Sequence, residues 1–298
     1  MPKRINVLSL FDGISCGRVA LERAGIRVKT YYASEIDGYA TQISKSNYPD
    51  IVHVGDINNW TEWDIDFGSI DLILAGFPCQ AWSTAAGGKQ NGDTDPRGAL
   101  VHDLIDIWND CKKHNPDVKF LFENVQMKKE FLDYINRLFG VDPICINSSL
   151  VSAQCRTRCY WTNIAGVTQP DDKGIMVQDI MEAAALAVDF SMYNPRKCKN
   201  YYQYDVSGKG YNSQQFRAYF PTGKFGCFPN ARAITKRKVA VSDTHYVDLS
   251  TVECERLQTL PDNYTLLTEG YSINKSLSAV GNGWTVDVIA HILKGMMQ

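Results

Sequence analysis

Residues 5–25, INVLSLFDGISCGRVALERAG, hold the pattern from which the fold follows. A mostly apolar run (5–11) stops at Asp12-Gly13, and a stretch with helical spacing begins a few residues later. The same rhythm recurs three times: 29–34 leads into Glu35, 70–75 into Gly76-Phe77-Pro78, and 118–122 into Glu123-Asn124. Strand-like runs alternating with helical stretches predict βαβ units and a mostly parallel sheet, hence an α/β fold. Ligands of such sheets bind beyond the carboxyl ends of the strands. Those ends here carry Asp12, Glu35, Asp56, Cys79 and Glu123. Any one of them serves equally well as a helix cap; five in succession point to a site.

The chain has 298 residues, a net charge of −2 and 44% hydrophobic content, which excludes a disordered or collagen-like chain. The apolar stretch at the start is too short for a signal peptide, and no run approaches a membrane span. Nine cysteines lie scattered without paired spacing, and the close pair Cys155 and Cys159 has no histidine nearby to complete a zinc site. No metal is expected, and a reducing cytoplasm is the expected compartment. Near-neutrality argues against a nucleic-acid partner until the charge is divided along the chain. Residues 195–240 hold ten basic residues and one acid, a net +9, leaving −11 elsewhere. They also hold nine aromatics, most expected to form the core of a second, small domain.

The turn 11–17 (FDGISCG) lacks the G-x-G-x-x-G fingerprint, so a dinucleotide is poorly supported. Glu35 at the end of the next strand suits two ribose hydroxyls, and Asp56 suits an adenine amino group. Together they suggest a nucleoside cofactor. Cys79, in Gly76-Phe77-Pro78-Cys79-Gln80, is either a nucleophile or a buried structural cysteine. Glu123, between an apolar strand and a cleft, is either a general acid of raised pKa or a helix cap. In QCRTR (154–158) strand alternation puts Gln154, Arg156 and Arg158 on one face, which fits a polar or anionic ligand or a solvated surface.

FDGISCG, SEID, GDI, GFPCQAWS, FENV, QCRTR, ECERLQTLPDNYT and VGNGWTV, in this order, resemble the cytosine-C5 DNA methyltransferases over about residues 5–293. FLFENV and the tryptophan of GNGWTVDVI look closer to the animal de novo enzymes, whereas Pro-Cys-Gln, Gln154 and RLQTLPD look bacterial. A compact prokaryotic or phage enzyme is expected, cytoplasmic or nucleoid-associated, in an infected bacterial host if viral, and nuclear if eukaryotic. The resemblance implies a class I methyltransferase (Rossmann-like) sheet with a small, mainly β target-recognition domain. Residues 1–165 plus 249–298 would be catalytic and cofactor-binding, and 166–248 would recognise the target.

The resemblance further implies S-adenosylmethionine as cofactor, S-adenosylhomocysteine as product, and double-stranded DNA as partner of a monomer or weak homo-oligomer. Cys79 would attack C6 of cytosine, Glu123 would serve N3, Arg158 would hold the base's O2, and Arg156 would brace the cysteine loop. The cofactor pocket would comprise Phe11, Asp12, Gly13, Gly17, Glu35, Ile36, Asp56, Ile57, Gly76, Pro78, Leu100, Asn282 and Trp284. DNA contacts would come from Gln80, Ser83, Lys89, Gln154, Arg217, Lys224, Arg232, Lys236, Arg237 and Lys238. The target base must leave the stack, and residues 85–93 are expected to form a mobile loop closing over it. Five or six phosphate contacts would give a log affinity–log salt slope near −5. A tRNA cytosine-C5 methyltransferase and a catalytically silent DNA-binding homologue are the alternatives.

Overall fold

The computed structural model describes residues 4–82, 92–182, 186–204, 214–230 and 233–297. The first strand, β1 (Ile5–Leu10), passes through a tight turn into α1 (Cys16–Arg23), then β2 (Val28–Ser34), α2 (Gly38–Asn47) and the short β3 (Val52–His53). There follow β4 (Leu72–Gly76), α3 (Pro96–His114), β5 (Lys119–Val125), α4 (Lys129–Phe139), β6 (Ile144–Asn147) and β7 (Thr157–Thr162). These strands form one sheet in the order β3-β2-β1-β4-β5-β7-β6. The pairs β2–β3, β1–β2, β1–β4 and β4–β5 are parallel, and β7 runs antiparallel to β5. The apolar runs seen in the sequence are thus central strands covered on both faces, as parallel strands require.

Helix α3 shows how local signals set an element. Asp95 caps it by accepting from the Arg97 N–H, Pro96 begins it, and Lys112, Lys113 and His114 close its last turn. Its buried Val101, Leu104, Trp108 and Cys111 recur at helical spacing and face the sheet. Trp108 meets Phe120 and Phe122 of β5 at ring-centroid distances of 4.5 and 5.7 Å, and Phe139 lies 5.0 Å from Phe122. This aromatic layer holds β5, and with it Glu123, in place.

A second sheet comprises β8 (Val188–Asp189), β9 (Arg196–Lys197), β10 (Tyr201–Gln203), β11 (Arg217–Tyr219), β12 (Lys238–Ala240) and β13 (His245–Asp248). Its order is β8-β13-β12-β11-β10-β9, antiparallel except between β11 and β12. Phe190, Tyr202, Tyr204 and Phe216 form its core with Tyr193, Phe220 and Tyr246 packed against them, so these aromatics do fill the small domain. Helices α5 (Thr251–Leu257), α6 (Ile273–Asn282) and α7 (Val286–Leu293) follow.

The chain separates into two compact units: 1–146, 157–169 and 288–298 in one, 147–156 and 170–287 in the other. The boundaries depart from the expected ones, since 249–287 belong with the second sheet rather than with the parallel sheet. The cause is close packing: a Cβ at Gly281 of α6 would lie 2.3 Å from the Pro229 carbonyl oxygen. The cysteine reading also changes. Cys145 of β6 and Cys159 of β7 are joined as a disulfide, a pairing made by strand adjacency across 14 residues of sequence.

Phe120→Ala, at a site 1% exposed, is expected to lower unfolding free energy by about 3–5 kcal/mol in urea titrations. Leu186→Ser, at a site 95% exposed, should stay within roughly 0.5 kcal/mol of the parent.

Candidate active site

The carboxyl ends of β1 and β2 build one half of the site in the first unit. Phe11, Gly13 and Ser15 all have left-handed backbone (φ 56°, 59° and 60°), winding the chain sharply from β1 into α1. The Asp12 carboxylate accepts from the Tyr31 hydroxyl at 2.7 Å and the Ser15 hydroxyl at 2.5 Å, and Ser15 in turn meets Ser44 at 2.7 Å. Burial pushes the Asp12 carboxyl up to about 6; hydrogen bonds from Ser15, Ser9 and Tyr31 oppose the rise, and the Glu35 charge adds to it. Glu35 accepts the N–H groups of Gly13, Ile36 and Asp37, each at 2.8 Å, and so ties the first turn to the second. Beside it Ile36 is 78% exposed, an apolar side chain left uncovered next to two carboxylates.

The rest of the expected pocket divides. A Cβ at Gly13 would meet nothing within 4 Å, so open space adjoins the turn. Gly76 ends β4 and Pro78 follows in the next turn, while Leu100 packs against the core from α3. Asp56 acts as a helix cap, accepting from the Asn58 N–H at 3.0 Å. Ile57 is a core residue, and Gly17 is buried within α1. Asn282 and Trp284 belong to the second unit.

The other half lies on β4, β5 and β7. Parallel register sets Gly76 opposite Glu123, and antiparallel register sets Val125 opposite Arg158. Residues two apart on a strand share a face, so Arg158 reaches Glu123 diagonally, with Nε 3.1 Å from Oε1. The expected apolar setting of Glu123 is therefore replaced by an ion pair. Cys79, half-buried and outside any disulfide, lies in the turn after β4. Asn124, which no motif in the sequence singles out, donates from Nδ2 to the Phe77 carbonyl at 3.1 Å and ties the end of β5 to the Cys79 turn. Its only signal in the sequence was its place between Glu123 and Val125.

Several expected ligand contacts are instead structural. Gln154 is fully buried: its amide donates to the Leu257 carbonyl at 3.0 Å and its Oε1 accepts the Phe228 N–H at 2.7 Å. Arg156 donates to the carbonyls of Phe228, Gly281 and Gly283 at 3.1–3.3 Å, bracing loops of its own unit. Lys224 donates to the carbonyls of Ser149, Ser152 and Ile175 at 2.5–3.0 Å. Arg237 donates to the Ile234 and Leu249 carbonyls. Lys238 is buried, bonds to the Thr235 carbonyl at 2.5 Å, and has its pKa lowered chiefly by that burial. Unsatisfied carbonyls in a loop-rich domain draw in cations that the sequence shows only as charge. Arg217 lies over the Tyr201 ring at 4.7 Å, Lys236 is half-buried, and Gln80 is exposed. Ser83, Lys89, Arg232 and residues 85–91 of the expected loop lie outside the described residues. Arg196, Lys197 and Lys199, on and beside edge strand β9, are exposed cations that the sequence reading did not single out as contacts.

Residues 5–134 match the family model of the C-5 cytosine-specific DNA methylases. Over 129 residues the chain is 40% identical to the type II methyltransferase M.NlaIV of Neisseria lactamica, covering 42% of this chain and 28% of that protein. Over 126 residues it is 37% identical to M1.ScrFI of Lactococcus lactis subsp. cremoris, covering 42% and 30%. The match thus spans under a third of each of these relatives. Two solved structures share the fold along nearly the whole chain. The Entamoeba histolytica methyltransferase EhMeth is 16% identical with a TM-score of 0.71, covering 99% of this chain and 98% of that one. The S. pombe Dnmt2 methyltransferase is 17% identical with a TM-score of 0.70, covering 98% of each. Among the described residues no helix is long and apolar enough to cross a membrane, and no three His, Cys, Asp or Glu side chains are grouped to hold a metal.

Because the native Asp12 pKa is raised from 3.8 to about 6, its contribution to stability is full below pH 4 and is lost as pH rises through 6. Asp12→Asn removes this loss. Urea titrations at pH 4.5 and 7.5 should therefore show the variant gaining on the parent at the higher pH, by up to roughly 3 kcal/mol. A gain at the lower pH instead would overturn the burial argument.

Proposed function

We propose that this chain transfers a methyl group from S-adenosylmethionine to C5 of cytosine in double-stranded DNA. The observation that carries the reading is the Cys79 thiol, outside any disulfide and just beyond β4, with a Glu123–Arg158 ion pair at the adjoining ends of β5 and β7. The cofactor supplies an electrophilic methyl group when bound. Asp12 and Glu35 offer anionic partners to a cationic nucleoside, Gly13 leaves room for its approach, and exposed Ile36 offers an apolar face to adenine. Phe11, Gly17, Asp56, Ile57, Gly76, Pro78 and Leu100 are added to this pocket of the first unit on the strength of the resemblance.

The Cys79 thiolate adds to C6 of a cytosine turned out of the duplex, and Glu123 hydrogen-bonds or protonates N3, which makes C6 electrophilic. Arg158 holds the Glu123 carboxylate in orientation and faces the base's O2. C5 then accepts the methyl group, loses its proton, and the Cys79–C6 bond breaks to release 5-methylcytosine. A free thiol is only a few per cent ionised at neutral pH, so the cysteine turn has to favour the thiolate.

Duplex DNA containing 5-fluorocytosine, incubated with the protein and labelled S-adenosylmethionine, should give a denaturant-resistant adduct that Cys79→Ser abolishes. An adduct persisting in Cys79→Ser would mean another nucleophile. Label entering tRNA instead of DNA would favour the tRNA reading, and no adduct at all would favour a silent homologue.

Phosphate contacts are assigned to the exposed Arg196, Lys197 and Lys199, with Arg217 and Lys236 available in part. Each of Arg196→Ala, Lys197→Ala and Lys199→Ala should flatten the log affinity–log salt slope by about 1. Lys224→Ala should leave the slope unchanged and lower stability, because its charge is spent on internal carbonyls.

A further inference from the structure

Five aromatic and polar side chains far apart in sequence meet where the chain leaves the Cys79 turn at Trp82 and returns at Gly92. The Gly92 N–H donates to the Ala81 carbonyl at 3.2 Å, so the two passes are joined directly. Gly92 has φ +56°, and a Cβ there would lie 2.9 Å from the Phe131 ring and 3.3 Å from Trp82. From α3, Gly98 presses on the same point: its Cβ would lie 2.0 Å from the Gly92 oxygen and 3.0 Å from Ala81 Cβ. Two glycines are thus required for two passes of chain and one helix to touch.

Helix α4 closes this junction from the other side. Its Phe131, Tyr134, Ile135 and Leu138 recur at helical spacing toward the core. Trp82, fully buried, stacks on Tyr134 (6.2 Å, 22° between planes) and meets Phe131 edge-on at 5.6 Å. The Tyr134 hydroxyl donates to Asp93 Oδ2 at 2.6 Å, and His102 of α3 lies 3.4 Å from the same oxygen. At the other end, the Trp82 N–H donates to the Cys79 carbonyl at 3.0 Å. A continuous path therefore runs from Tyr134 through Asp93, Gly92, Ala81 and Trp82 to the backbone of Cys79.

We propose that Tyr134 and Asp93 are positioning residues for Cys79: their hydrogen bond anchors the returning chain to α4, and the Ala81–Gly92 bond and the Trp82 ring transmit that anchor to the cysteine turn. The proposal rests on the assignment of Cys79 as nucleophile. A charge-assisted hydrogen bond at a junction this tightly packed has one geometry, so its loss frees the turn to shift. Displacements of about 1 Å at a reacting group cost up to about a hundredfold in rate. The hydroxyl and carboxylate touch neither base nor cofactor in this scheme; they act only through backbone and ring contacts.

Tyr134→Phe and Asp93→Ala are each expected to lower kcat for DNA methylation by about ten- to hundredfold, with KM for DNA changed less than twofold. Asp93→Asn keeps an acceptor for the Tyr134 hydroxyl and should recover most of the loss. The double variant should be no slower than the worse single one, because both remove the same bond. Alkylation by iodoacetamide, read peptide by peptide, should change rate at Cys79 while exposed Cys155 reacts as in the parent. A general loss of structure would alter both thiols and lower the unfolding midpoint. Unchanged kcat in Tyr134→Phe, multiplicative losses in the double variant, or an unchanged Cys79 rate would overturn the positioning role. If the Cys79→Ser variant retained the fluorocytosine adduct, the nucleophile assignment would fail instead, which keeps the two failures apart.

Discussion

The register between β4 and β5 is the constraint on which the candidate site depends. With Gly76 opposite Glu123, the turn carrying Cys79 emerges beside the carboxylate, and the Asn124 amide ties that turn to β5. A slip of one residue would send Glu123 to the opposite face of the sheet and into the aromatic layer of Trp108, Phe122 and Phe139. Burying a charge among those rings would cost several kcal/mol, so the core that stabilises the sheet also fixes the register. The antiparallel β7 then completes the arrangement, because its direction brings Arg158 to the end of β5 at which Glu123 lies.

Polar groups are used in two ways in this molecule. In the first unit, Asp12, Glu35 and Glu123 lie at strand ends, each held by a few directed bonds. In the second, Gln154, Arg156, Lys224 and Arg237 are turned inward onto backbone carbonyls. Short strands and long connections leave many carbonyls without ladder partners, and long cationic side chains satisfy several at once. The net +9 of residues 195–240 is therefore partly structural; among the described residues, exposed Arg196, Lys197 and Lys199 lie on and beside the edge of the small sheet.

Much of the first unit was legible in the sequence. Apolar runs ending in Asp12, Glu35, Gly76 and Glu123 fall in β1, β2, β4 and β5, since buried parallel strands need continuous apolar runs. Alternation along 154–158 was a weaker guide: Arg158 lies on β7, but Gln154 and Arg156 precede that strand and fold into the second unit. The disulfide between Cys145 and Cys159 had no signal in spacing, because it follows from the strand order.

The sequence by itself determined the α/β class, the strand ends near which Cys79 and Glu123 lie, and the segment in which basic residues concentrate. These depend on local periodicity and on residue types that few other settings tolerate. Tertiary structure alone decided which cations are spent on internal carbonyls, that Arg158 pairs with Glu123, that Asn124 ties the Cys79 turn to β5, and that residues 249–287 fall in one compact unit with the small sheet. Such outcomes depend on distances between segments far apart in the chain, set by packing and by competition for buried carbonyls, and no local pattern encodes them.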